Sequence, residues 1–152
     1  MRKTKGFTLI ELLVVIAIIG ILSTLAVVAL NSARAKARDA KRVADVKQVQ
    51  TALELLYNDA STYPTQAAGT LGAGDYKVLC KGSLSTGFAS ASSVCDASSP
   101  TVYMGQVPKD PSSYTYAWGG GGATTYSIVF NLEGQVSDLA AGLRTANQNG
   151  IQ

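Results

Sequence analysis

Histidine is absent from all 152 residues. Its absence removes the base of Ser-His-Asp triads and Cys-His dyads, and with it the imidazole ligands of the common zinc sites. Charge is scarce at 15% of residues, and the stretch from Phe7 to Leu30 holds a single charged side chain, Glu11. Proline does not occur before Pro64, and no glycine lies between Gly20 and Gly69. Nothing in that first third therefore interrupts a helix. The acids and lysines show no paired spacing suited to acid-base chemistry. The run Gly119 to Gly122 lacks the following helix and lysine of a phosphate-cradling loop. No enzyme, cofactor or metal is expected.

The formal charge of +3 is also less than it looks, because Arg2, Lys3 and Lys5 account for it and the remainder of the chain is balanced. A broad nucleic-acid-binding surface is not expected, although Arg34, Lys36, Arg38, Lys41 and Arg42 form a local basic run. Cysteine occurs only at Cys80 and Cys95. A disulfide between them would contribute about 3 kcal/mol by loop closure and fits an oxidising compartment. Two buried free thiols are the alternative.

What is present begins with a short basic segment, residues 1–6, that reads as a leader. The sequence FTLIELLVVIAIIGILSTLAVVAL follows at residues 7–30. As a helix it would span about 36 Å against a hydrocarbon core of about 30 Å, long enough to cross a membrane. Two rivals fit the hydropathy: a signal peptide cut near Ala33-Arg34-Ala35, and a plain single-pass anchor for a binding module. The apolar run is longer than a signal peptide needs, and neither rival has a use for Glu11.

The helix is expected to continue through residues 31–60, where Val43, Val46, Val49, Leu53 and Leu56 form an amphipathic stripe and Lys41, Arg42, Asp45, Lys47 and Gln48 lie off it. Running from Phe7 to Asn58, it would be about 78 Å long, and its first half would project from a domain of this size. Ser61-Thr62-Tyr63-Pro64 ends it. Residues 61–106 read mainly as an Ala/Gly/Ser-rich loop tied by the disulfide, with a short strand at 76–80. Residues 107–152 read as antiparallel sheet. Tyr114, Tyr116 and Trp118 alternate with small residues, as do Tyr126, Ile128, Phe130 and Leu132, with Gly119 to Gly122 as the hairpin turn and a third strand at 135–139. The fold class is α+β, a long helix on a small antiparallel sheet. Tyr103, Tyr114, Tyr116 and Trp118 would make an aromatic platform only if they faced solvent; as a core face they pack on the stripe.

Gly6, Phe7 and Glu11 form the informative constellation. A cut between Gly6 and Phe7 would create an amine with a pKa of about 7.7–8.0, largely protonated near neutral pH. Glu11 sits one turn into the apolar run, where an ionised carboxylate is penalised by up to about 2.5–3.5 kcal/mol at a helix centre and less near an end. The amine of a lengthwise-shifted neighbouring helix would compensate it and fix the register between subunits.

Residues 6 to 22, GFTLIELLVVIAIIGIL, resemble the cleavage and methylation motif of type IV pilins and type II secretion pseudopilins. The resemblance implies that a prepilin peptidase cuts after Gly6, that Phe7 is N-methylated, and that Glu11 is required for assembly. It also implies a cytoplasmic leader, an extracytoplasmic globular part, membrane lipid around the apolar helix before assembly, and a homo-oligomeric helical filament assembled from the membrane by a pilus or secretion assembly platform. Val28 stands where many pilins carry proline, so a local melting of the helix after Gly20 is not implied. Pro108, Lys109, Asp110 and Pro111 before Tyr114 and Tyr116 are similar to the major pseudopilin pattern, but Ser112-Ser113 replaces its Trp-Gly, and its calcium loop has no clear counterpart at Glu133 or Asp138. The long cysteine-bearing loop and Leu132-Glu133-Gly134 look more like a surface-displayed pilin, which is the favoured expectation.

Overall fold

The computed structural model describes residues 6–96 and 100–152; residues 1–5 of the expected leader lie outside them. The chain divides into two compact units, residues 1–35 and 36–152. Helix α1, Leu9–Ala60, begins in the first and ends in the second. With no proline and only Gly20 inside it, the helix propagates until Ser61 turns left-handed at φ 56° and donates its N–H to the Tyr57 carbonyl at 2.7 Å. That bond is an αL cap, and Pro64 follows shortly after.

In the second unit, β1 (Gly69–Thr70), β5 (Ala117–Gly121), β6 (Tyr126–Leu132), β7 (Gly142–Asn147) and β8 (Gly150–Ile151) form an antiparallel sheet in the order β1-β5-β6-β7-β8. A second sheet, β3-β2-β4, joins β2 (Val78–Lys81), β3 (Thr86–Ala89) and β4 (Thr101–Met104), with the short α2 (Ser92–Cys95) before β4. The architecture is α+β, with the amphipathic part of α1 packed on antiparallel sheet.

Period decides the core. Val46, Val49, Leu53 and Leu56 recur at helical spacing and are at most 1% exposed, while β6 buries Tyr126, Ile128, Phe130 and Leu132 at every second position. Tyr116, Trp118 and Ala146 complete the same cluster. Each fully buried aliphatic or aromatic side chain contributes about 1.5–3 kcal/mol. A chain of ring contacts runs through it, with Trp118 5.0 Å from Phe88 and Tyr63 4.8 Å from Tyr126.

Three expectations need correction. Residues 61–106 carry more strand than expected: between their loops they supply β1 and all of the second sheet, and the expected strand at 76–80 is Val78–Lys81. Alternation is hard to see there because Val78, Leu79 and Cys80 are buried in succession. The strand that follows the hairpin in the larger sheet is Gly142–Asn147 rather than 135–139. Ser137 is left-handed at φ 52°, and Val136 and Leu139 pair only across that turn. Gly119 to Gly121 belong to β5, and the hairpin closes at Gly122, whose N–H donates to the Thr125 carbonyl at 2.7 Å. The glycines serve close approach: a Cβ on Gly121 would stand 2.3 Å from the Pro64 carbonyl oxygen, where the helix exit crosses the sheet. Tyr116 and Trp118 are core, as the reading that packs them on the stripe expects, while Tyr114 is 41% exposed.

Cys80 and Cys95 are joined and fully buried, linking β2 to α2 across 15 residues. Gln66 acts as a further strap, its side-chain amide donating to the Phe88 carbonyl at 2.6 Å and accepting the Phe88 N–H at 2.7 Å. Replacing both cysteines with serine is expected to lower unfolding stability by about 3 kcal/mol, read by denaturant titration of Trp118 fluorescence.

Candidate functional site

Gly6, Phe7 and Thr8 precede α1 without regular structure. Phe7 is 87% exposed, and nothing stands within 4 Å of a Cβ built on Gly6. The Gly6–Phe7 peptide bond is therefore unpacked among the described residues. Thr8 and Glu11 then close a reciprocal box. The Glu11 carboxylate accepts the Thr8 N–H and hydroxyl, both at 2.7 Å, and the Thr8 oxygen accepts the Glu11 N–H at 3.3 Å. This is the capping box of a helix start, with Thr8 at N-cap and Glu11 at N3. It holds the carboxylate at the positive end of the helix dipole. Thr8 was legible in the sequence as Thr-x-x-Glu before an apolar run, and the reading that fixed on Glu11 alone passed over it.

Beyond the box, α1 offers no face to its own unit. Every residue from Leu9 to Leu30 is exposed, Leu9 by 79% and Leu25 by 64%. Among the described residues, α1 is the helix long and apolar enough to cross a membrane.

The second unit carries a buried ion cluster that the sequence reading did not assemble. Arg42 has no exposed surface. Its guanidinium donates to Asp110 at 2.7 Å, to Asp39 at 2.6 Å, to Glu133 at 2.7 Å and to the Ser112 hydroxyl at 2.6 Å, and the Tyr114 ring lies 5.1 Å away. Arg38 adds a further hydrogen bond to Glu133 at 2.8 Å. Asp39 in turn accepts the backbone N–H groups of Glu133 and Gly134 at 2.9 and 2.8 Å. One turn on, buried Asp45 accepts the Tyr116 hydroxyl at 3.0 Å. Helix α1, the Pro-Lys-Asp-Pro segment and the turn after β6 are thereby tied at one point.

The expected basic run dissolves accordingly. Arg38 and Arg42 point inward to carboxylates, while Lys36 and Lys41 remain exposed. Arg42 and Asp45, placed off the apolar stripe, are buried because each meets a hydrogen-bonding partner there. Glu133 is not a solvated turn acid but the partner of two arginines. Asp39 and Arg42 stand three residues apart, a visible helix pair; their distant partners Asp110 and Glu133 were not readable from spacing.

Hydrogen bonds from Arg38 and Arg42 pull the Glu133 carboxyl down to about 2 from an ordinary value of 4.5. Burial raises Asp110, but its bonds from Arg42 and Ser112 outweigh that and leave it lowered. A carboxyl depressed by folding stabilises above its unfolded value and loses that contribution as pH falls through the folded one. Stability is therefore expected to fall between pH 4.5 and about 2, and Glu133→Gln should flatten that part of a thermal-unfolding profile against pH. Arg42→Met at neutral pH is expected to cost about 3–5 kcal/mol by stranding buried carboxylates, measured by the same unfolding assay.

Comparison with known proteins bears on the first of these sites. Residues 1–27 match the family model described as the prokaryotic N-terminal methylation motif. The chain is 42% identical over 69 residues to the type II secretion system core protein G of Vibrio cholerae serotype O1, covering 45% of this chain and 47% of that protein. It is likewise 42% identical over 67 residues to the protein of that name from Escherichia coli K12, covering 44% of this chain and 46% of that protein. It thus spans about half the length of these secretion relatives. Against the type IV wide pilus major component PilA4 of Thermus thermophilus it is 35% identical over 111 residues, covering 71% of this chain and 85% of that protein. No solved structure gives a significant match.

Proposed function

Because this chain belongs to the type IV pilin family, we propose that it is a structural subunit of a type IV pilus-like filament, made as a membrane precursor and assembled outside the cytoplasm. The observation that carries the reading is the 9–30 part of α1, wholly exposed in the free subunit and holding Glu11 as its one charge. A surface so apolar needs lipid before assembly and other copies of itself afterwards.

In this reading residues 1–6 are removed by a prepilin peptidase between Gly6 and Phe7, and the 87% exposure of Phe7 supports access to that bond. Residues 7–30 are the membrane span and then the filament core; residues 31–60 are the helix of the globular part; 61–106 and 107–152 are its two sheet-bearing regions. The leader faces the cytoplasm, and an assembly platform draws the cut subunit from the membrane. The role is structural rather than catalytic.

Cleavage gives Phe7 a positive amine, retained if that amine is methylated, next to Thr8. The box already fixes the Glu11 carboxylate at this end of the helix. A neighbouring copy shifted along the helix axis then brings its amine to a carboxylate that is oriented in advance. Membership of a secretion pseudopilus is the second reading. The higher identity of the shorter match to the core protein G relatives favours it, whereas the longer coverage of the pilus component favours a pilus.

Glu11→Ala is expected to leave cleavage intact and to reduce sheared surface filaments at least tenfold, scored by immunoblot of sheared and membrane fractions. Thr8→Val, which removes the box but keeps the carboxylate, should retain cleavage and weaken assembly less. Wild-type filament yield from Glu11→Ala would overturn the proposed role of Glu11.

A further inference from the structure

In the second unit, beside the smaller sheet, a cleft of about 440 Å³ opens between Gly72, the 77–78 segment, residues 90–92 and residues 105–109. Its volume lies in the range of small-ligand sites. The walls are fixed through backbone: the Lys77 N–H donates to the Ala89 carbonyl at 3.1 Å, the Lys77 carbonyl accepts the Val107 N–H at 2.7 Å, and the Gly72 N–H donates to Tyr76 at 2.7 Å. Gly72 is left-handed at φ +74°, and a Cβ there would meet Lys109 Cγ at 2.5 Å, so the Lys109 stem lies directly over this glycine.

The polar side chains lining the cleft are Lys77, Lys109, Ser90, Ser92 and Gln106, and no acid lines it among the described residues. Lys81, by contrast, pairs with Asp59. None of the five side chains makes a hydrogen bond or ion pair among the described residues. Two ammonium groups, two hydroxyls and one amide, most of them exposed, therefore line one concave surface without a side-chain partner among the described residues.

We propose that this cleft binds an acidic sugar unit of a polysaccharide, its carboxylate or sulfate held by Lys77 and Lys109 and its hydroxyls by Ser90, Ser92 and Gln106. Two cations select an anion, and the hydroxyl and amide groups suit a polyhydroxylated ring. Among the described residues the cleft offers no aromatic face for stacking a nucleobase. Nor do the described residues give it an arginine fork for bidentate phosphate recognition. The inference rests on the second unit alone and does not require filament assembly.

The test is equilibrium binding of the full chain in detergent micelles, at physiological ionic strength, to three labelled disaccharides: a sulfated heparin disaccharide, an unsulfated glucuronic-acid disaccharide and an uncharged glucose disaccharide. Saturable binding of either acidic probe is expected, weakened at least tenfold by Lys77→Gln with Lys109→Gln. It should be unchanged by Lys36→Gln with Lys47→Gln, which removes the same charge elsewhere. The tighter of the two acidic probes identifies the anion as sulfate or carboxylate. Equal binding of the uncharged probe, or equal loss in both double variants, would overturn the proposal. So would a single-stranded oligonucleotide that displaces the sugar and binds more tightly through Lys77 and Lys109, making the cleft a nucleic-acid contact.

Discussion

The constraint on which the rest depends is that residues 9–30 of α1 bury nothing of themselves in their own subunit. At about 25 cal/mol per Å² of apolar surface, leaving a helix of Leu, Ile and Val in water is far costlier than any other feature of this chain. The environment must be lipid or other apolar helices, and one chain can use each in turn. Glu11 adds direction to that demand. Apolar burial alone is tolerant of sliding, whereas a carboxylate in a dry setting requires a particular partner at a particular height. The Thr8 box meets the requirement locally in the single subunit, and a neighbour's amine would meet it between subunits.

The second unit solves a different problem. Its core is ordinary in composition, an aliphatic helix face against alternating aromatic and aliphatic strand positions. What distinguishes it is the burial of Arg42 among Asp39, Asp110 and Glu133. A buried ion cluster adds little net stability over an apolar equivalent, yet it is costly to break, since each removed partner strands another charge. It therefore fixes where the 110–112 segment and the 133–134 turn sit against α1. The disulfide and the Gln66 strap do comparable work for the smaller sheet.

Much of this was legible from residue pattern. The uninterrupted helix followed from missing proline and glycine, the stripe from Val46 to Leu56 from its spacing, and β6 from strict alternation between Tyr126 and Leu132. The smaller sheet was not, because Val78 to Cys80 are buried consecutively and Thr86 to Ala89 is too short to show a period. The shift of the strand after the hairpin to Gly142–Asn147 reflects a left-handed serine, a backbone choice that composition does not encode. Arg42 was misplaced on the surface because its partners Asp110 and Glu133 lie 68 and 91 residues away. At the N-terminus Glu11 stood out as an unexpected charge, while its partner Thr8 went unread although the capping pattern was present.

The most direct test of the central claim is zero-length carbodiimide cross-linking of filaments grown from a mixture of isotopically light and heavy subunits, followed by mass spectrometry of the linked peptides. The account predicts chains beginning at Phe7, with the Phe7 amine of one isotope joined to the Glu11 carboxylate of the other. Chains that begin at Met1, or links confined to a single isotope, would contradict it.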